Sequence, residues 1–255
     1  SDNMSFRSIR SQPKESRAVF INHLPAFTMQ HTYALAALYP YATQPGGEWA
    51  FQGEFRYNFR RHTVFGGRYG TDFRLHGSHI RGIDKQWVDS EVIEGTDGYT
   101  SKFFKMGDET YYQDINVEIS KKLLPRFKLS GTYMNQRYNQ TVIQGEGGTI
   151  VSNIFILEGN VQASRKLNLR AELQYLRTKQ DDGDWIFGLL ELSVLPSLMF
   201  TVSDMYNNGS TDLHYYMGAV SYTYKAHRLQ VAYARTRAGF NCSGGVCRWI
   251  PASKG

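Results

Sequence analysis

From Glu48 to Arg60, aromatic and apolar residues occupy odd positions (Trp49, Phe51, Phe55, Tyr57, Phe59, with Gly53 among them). Polar residues occupy even ones (Glu48, Gln52, Glu54, Arg56, Asn58, Arg60). The alternation resumes after Arg60-Arg61-His62, with Phe65, Gly67, Tyr69, Phe73 and Leu75 on one face and Arg68, Asp72, Arg74 and His76 on the other. A period of two marks a strand with one oily and one polar side. The pattern predicts two long strands joined at 60–62, each longer than the roughly five to six residues usual in soluble sheets. They suit the roughly 9–11-residue tilted strand that crosses a membrane in a β-barrel.

The same period recurs downstream: Tyr111 to Lys121, Arg126–Asn139, Asn153–Ser164 with Leu167–Thr178, and Leu213–Tyr224 with Arg228–Arg237. Trp185–Leu195 and Ser197–Tyr206 carry apolar residues on both faces, so their facing is ambiguous. Two earlier stretches, Ala18–His23 and Met29–Tyr39, read as further strands. Short connections near 24–26, 60–62, 121–125, 165–166, 196 and 225–227 alternate with longer ones near 40–47, 79–110, 140–152, 179–184, 207–212 and 239–255. Tight turns at one end and loops at the other is the asymmetry of an outer-membrane barrel. The expected fold is all-β: one antiparallel transmembrane β-barrel region over 1–255, with about twelve strands. Residues 1–16 are an irregular N-terminal loop, 79–110 a long acidic extracellular loop, and 239–255 an extracellular loop. An odd closing strand is lacking, so the barrel is expected to be incomplete or completed by another polypeptide, because unpaired edge groups are untenable in hydrocarbon.

Composition narrows the alternatives. Mean hydropathy is −0.45 although 17 Tyr and 15 Phe are present, and no run approaches the roughly 20 apolar residues of a spanning helix. The net charge of +6 comes from basic residues spread along the chain, which argues against a nucleic-acid partner. The serine at position 1 and the lack of a visible signal peptide suggest a processed or truncated chain.

Specific strings add a resemblance. INHLPAFTMQHTYALAALYPYATQPGGEWAFQGEFRYNF (Ile21–Phe59) and the tail RTRAGFNCSGGVCRWIPASKG (Arg235–Gly255) resemble the C-terminal half of an uncharacterised family of Bacteroidetes outer-membrane barrel proteins. The resemblance implies the barrel fold and a place in the bacterial outer membrane. In that family a further strand block precedes this region and a closing strand follows it. No activity comes with it.

Candidate chemistry is sparse. No GxSxG nucleophile context appears, so no enzyme activity, catalytic residue or cofactor is expected. His76 and His79 are spaced HxxH, but the other ligands of a tetrahedral metal site are missing, and no metal is expected. Cys242 and Cys247 enclose SGGV; a disulfide is favoured over free thiols or a metal pair. The lumen-facing candidates are Glu48, Glu54, Arg56, Arg68, Asp72, Arg74, Asp114, Glu118, Lys128, Glu158, Arg170 and Glu172. They carry both signs, whereas an ion-selective pore favours one. In the first hairpin, a register setting Glu54 opposite Arg68 and Glu48 opposite Arg74 avoids opposed like charges. Two functions follow: porin-like passage of small solutes, or a non-conducting structural or accessory subunit. The expected partners are outer-membrane lipid and lipopolysaccharide, other outer-membrane proteins, or the missing part of the barrel.

Overall fold

A computed structural model describes residues 5–7, 20–22, 25–44, 46–87, 99–102, 104–243 and 246–254. Its strands are β1 (Ser5–Arg7), β2 (Phe20–Asn22), β3 (Glu48–Phe59), β4 (Thr71–Ile83), β5 (Gln86–Trp87), β6 (Tyr99–Thr100), β7 (Met106–Leu124), β8 (Phe127–Asn139), β9 (Thr149–Gln162), β10 (Leu167–Thr178), β11 (Trp185–Val194), β12 (Leu198–Asn207), β13 (His214–Tyr224), β14 (His227–Thr236), β15 (Gly239–Ser243), β16 (Val246–Ile250) and β17 (Ser253–Lys254). One antiparallel sheet contains eleven of them, in the order β17-β14-β13-β12-β11-β10-β9-β8-β7-β4-β3. The pairs β1–β2, β5–β6 and β15–β16 are separate hairpins. β3 and β17 each have one neighbour among the described residues.

Ten strands of the large sheet are ten residues or longer, enough to cross a bilayer. Their faces are chemically opposite. Phe55, Ile119, Leu157, Leu173, Leu190, Val202, Val220 and Val231 all point outward and are 42–67% exposed. An apolar belt of this breadth is untenable on a soluble sheet and is what lipid contact requires. Inward positions are buried and largely polar: His76 and Ser78 on β4, Asp114 and Asn116 on β7, Gln136 on β8, Ser152 on β9, Glu172 and Gln174 on β10. The chain builds an all-β, antiparallel wall of the outer-membrane barrel type. Expected facing holds from β4 to β10, where even residues point inward.

Parity then switches. Leu176 pairs with Trp185 across the 179–184 turn, so odd residues (Trp185, Phe187, Thr201, Ser203) point inward on β11 and β12 while Ile186, Leu190 and Val202 point out. This resolves the facing that the sequence left open: both faces are apolar there because one meets lipid and the other meets the barrel's own filling.

Several expectations are corrected. The first hairpin turns through residues 60–70, not 60–62. His62 (φ 62°), Gly67 (φ 59°) and Gly70 (φ 90°) adopt left-handed conformations, and a side chain at Gly66 would meet the Arg60 carbonyl at 1.8 Å. Arg68, Phe65 and Tyr69 therefore lie in the connection, and Arg68 stacks its guanidinium on Tyr69 (5.4 Å) instead of facing the lumen. The longer turn resets the register: Glu54 lies opposite His76, Glu48 opposite Gly82, and Arg56 opposite Arg74. That like-charge pair is tolerated because each arginine has its own carboxylate, Arg56 with Glu54 and Arg74 with Glu118.

Met29–Tyr39 is not a strand. Its ALAAL run forms a single turn, with Ala37 N–H donating to the Tyr33 carbonyl (3.0 Å), consistent with the poor strand propensity of alanine. Of 79–110, residues to Ile83 continue β4 and those from Met106 begin β7, while 88–98 lie outside the described residues. Gln140–Gln144 is a short helix capped by the Asn139 side chain. The 239–255 stretch holds the β15–β16 hairpin and β17, which pairs with Arg235 and Thr236.

Candidate functional site

Residues 25–44 lie against the inward face of the sheet, filling part of the lumen. Leu35, Ala36, Tyr39 and Tyr41 are buried among Ile80 of β4, Tyr112 of β7, Tyr138 of β8, Ile154 of β9, Leu176 of β10 and Trp185 of β11. Tyr39 packs on Tyr138 and Tyr41 on Tyr112, with ring centroids 5.5 and 5.3 Å apart. Polar bonds fix its position: the Leu35 N–H donates to Gln174 Oε1 (2.8 Å), Gln136 Nε2 to the Tyr39 carbonyl (3.3 Å), and the Tyr39 hydroxyl to Asp181 Oδ2 (3.0 Å). The Tyr41 hydroxyl donates to Glu48 at the start of β3. Burial and the nearby Asp181 carboxylate raise the Tyr39 hydroxyl above the usual phenol range, and burial pushes Tyr33 up to about 12, so both hydroxyls stay protonated.

Below this filled zone, towards the short turns, the same inward face is charged. Arg170 donates from Nε and Nη2 to Glu158 Oε2 (3.1 and 2.9 Å) and also reaches Glu172. Gln174 links Glu172 to the Leu35 amide, so the charged ladder and the inner segment form one connected network. Arg74 pairs with Glu118, Arg56 with Glu54, and Asn58 with Asp72. Ser120 and Ser130 share a hydrogen bond of 2.6 Å nearby.

Between the two zones sits a buried cluster. His76 is 2% exposed and contacts Asp114 (Nδ1–Oδ2 3.3 Å), Asn116 (3.1 Å) and Gln52 (2.9 Å), and Asn116 donates to Asp114 (3.0 Å). His31 of the inner segment is electrostatically coupled to Asp114, His76 and Arg74. Its Nε2 and the Asp114 Oδ1 have no hydrogen-bond partner among the described residues. Burial lowers the His31 pKa, partly opposed by Asp114. No set of three His, Cys, Asp or Glu among the described residues is arranged to hold a metal ion.

The structure thus places Glu48, Glu54, Arg56, Asp72, Arg74, Asp114, Glu118, Lys128, Glu158, Arg170 and Glu172 at even, inward positions of β3 to β10, and Arg68 apart from them. Sequence reasoning missed the inner segment and the neutral groups that bind it, Gln136 and Gln174. The available signal was the failure of alternation over HTYALAALYPYATQ immediately before the most regular strand of the chain. Cys242 and Cys247 lie directly opposite each other in the backbone of the β15–β16 hairpin, and their side chains fall outside the described residues.

Among solved structures, one titled "KdgM porin in complex with disordered oligogalacturonate" is similar over 74% of this chain and 90% of that one, at 11% identity and a TM-score of 0.32. No curated protein matches the chain. A family model described as a family of unknown function, DUF6029, covers residues 1–255, and the chain belongs to that family.

Proposed function

We propose that this protein is a bacterial outer-membrane barrel that passes small solutes through a lumen narrowed by its own segment 25–44. One observation carries the reading: the inward face from the short-turn end to the inner segment is lined by part-exposed, oppositely charged pairs such as Arg74–Glu118 and Arg170–Glu158, under an outer face with a broad apolar belt. A lumen meant only as a structural core gains more from apolar filling, as its other half demonstrates. Mixed signs suit neutral or zwitterionic solutes better than a single ion class. Lipid and lipopolysaccharide are its surroundings, and the facing Cys242 and Cys247 form a disulfide on the loop side.

Packing of Leu35 and Tyr39 against β8 to β10 favours a second reading, a non-conducting accessory subunit. Planar-bilayer recordings of the full chain separate the two. Conductance steps that grow when Leu35 and Tyr39 are replaced by Gly and Ala support passage. Silence in both wild type and variant supports the accessory role.

A further inference from the structure

The two rims of the sheet differ in charge. The short connections and their flanks, RRHTVFGGRYG (60–70), KKLLPRFK (121–128), QASRKL (162–167), VLPSL (194–198) and YKAHR (224–228), hold eleven Lys or Arg and no Asp or Glu. The described residues of the opposite connections, within 84–105, 140–148, 179–184, 208–213 and 237–252, hold six Asp or Glu and six Lys or Arg, so the charge there balances. The basic collar of short connections attracts anionic surfaces, each cation near a membrane contributing about 1 kcal/mol.

An outward groove of about 870 Å³ opens from that collar. It exists because Gly131 stands between Ile119 and Leu157 in the β7–β8–β9 ladder, and a Cβ at Gly131 would meet nothing within 4 Å. Its walls are apolar (Val117, Leu129, Tyr133, Phe155, Leu173), with Lys121 at the short-turn mouth. Lys121 makes no ion pair among the described residues, and its ammonium lies beside the Gly67 backbone of the basic 60–70 turn. A trough that crosses β7 to β11 on the outward side, oily along its floor and cationic at one end, is complementary to a single amphiphile with an anionic head.

Resting on the membrane reading above, we infer that this groove binds one anionic glycerophospholipid of the short-turn leaflet, its acyl chain over Gly131 and its phosphate at Lys121 and the neighbouring turn cations. Lipopolysaccharide, which is also anionic, is separated from this site by leaflet, since it belongs to the one at the opposite rim.

The test reconstitutes the full chain in nanodiscs of equal phosphatidylglycerol and phosphatidylcholine, then ejects it for native mass spectrometry. One phosphatidylglycerol is expected to be retained in preference to phosphatidylcholine. Lys121→Gln should lower its retention about fivefold, and Gly131→Leu, which fills the trough without touching charge, should remove it while the strand still pairs. Equal retention of both lipids, retention unchanged in both variants, or preference for added lipopolysaccharide overturns the site while leaving the barrel reading intact. Failure of the wild-type chain to float with vesicles overturns the membrane reading and the site together.

Discussion

The loop-side and turn-side halves of the lumen are built on the same strands and the same face, yet they differ in kind. Along β9, Ile150 and Ile154 give way to Glu158; along β10, Leu176 gives way to Glu172 and Arg170; along β8, Tyr138 and Met134 give way to Ser130 and Lys128. Where residues 25–44 cover the wall it mixes apolar side chains with neutral polar ones such as Gln136 and Gln174, and where they do not it is charged. The difference teaches that facing in a barrel is a property of the strand, whereas polarity is a property of what lies opposite. Alternation reveals the first and is silent on the second.

The sharpest way to break this contrast is to remove a large side chain from the filled half. Trp185 is fully buried, so Trp185→Ala should cost about 3–5 kcal/mol, read by urea unfolding of the protein folded in vesicles. A loss below about 1 kcal/mol would mean that the inner segment is not packed there. The outer face should show no such division into halves: Leu173→Arg, mid-strand on the lipid side, should lose about 2–4 kcal/mol in the same assay. Near-neutrality would contradict lipid contact at that position.

In the charged half the expected effects are smaller and non-additive. Arg170→Met strands Glu158 and Glu172 without their partner and should cost about 1–3 kcal/mol. Adding Glu158→Gln should restore part of the loss, as a double-mutant cycle would record. If the two losses simply add, the ladder is not a coupled unit.

The boundary between the halves supplies the smallest effect. The His31 pKa is lowered in the folded protein, so the unfolded chain binds its proton more readily. Stability therefore rises with pH through the interval below the ordinary histidine value near 6.5, and falls on acidification. Asp114, His76 and Arg74 face this group, so the His31→Gln variant is the control. Its unfolding midpoint should vary less between pH 7.5 and pH 5 than that of wild type, and parallel curves would remove His31 from the account.

Much of the wall was legible in the sequence. The odd-even pattern located β3 and the faces of β7 to β10 because each residue there answers to one medium, lipid or lumen. The register of the first hairpin was not legible, since it depends on a turn in which His62, Gly67 and Gly70 take left-handed conformations, and charge pairing alone favours a different alignment. Arg56 and Arg74 are compatible as neighbours because Glu54 lies two positions along β3 from Arg56 and Glu118 lies opposite Arg74 on β7, a relation that the pairing of one hairpin does not contain. The inner segment escaped for a different reason: its partners lie up to 142 positions away, and local periodicity carries no information at that range.

That separation also bears on how the molecule assembles. From β7 to β14 each strand pairs with the next in the chain, so this wall can zip from local contacts. Residues 25–44 are synthesised before any of it, yet Leu35 and Tyr39 find their partners at Gln174 and Asp181 only after β10 is in place. Loop-closure entropy makes such distant contacts form late. Seating of the inner segment is then a kinetic checkpoint, reporting that the six sheet strands from β3 to β10 have reached their final register.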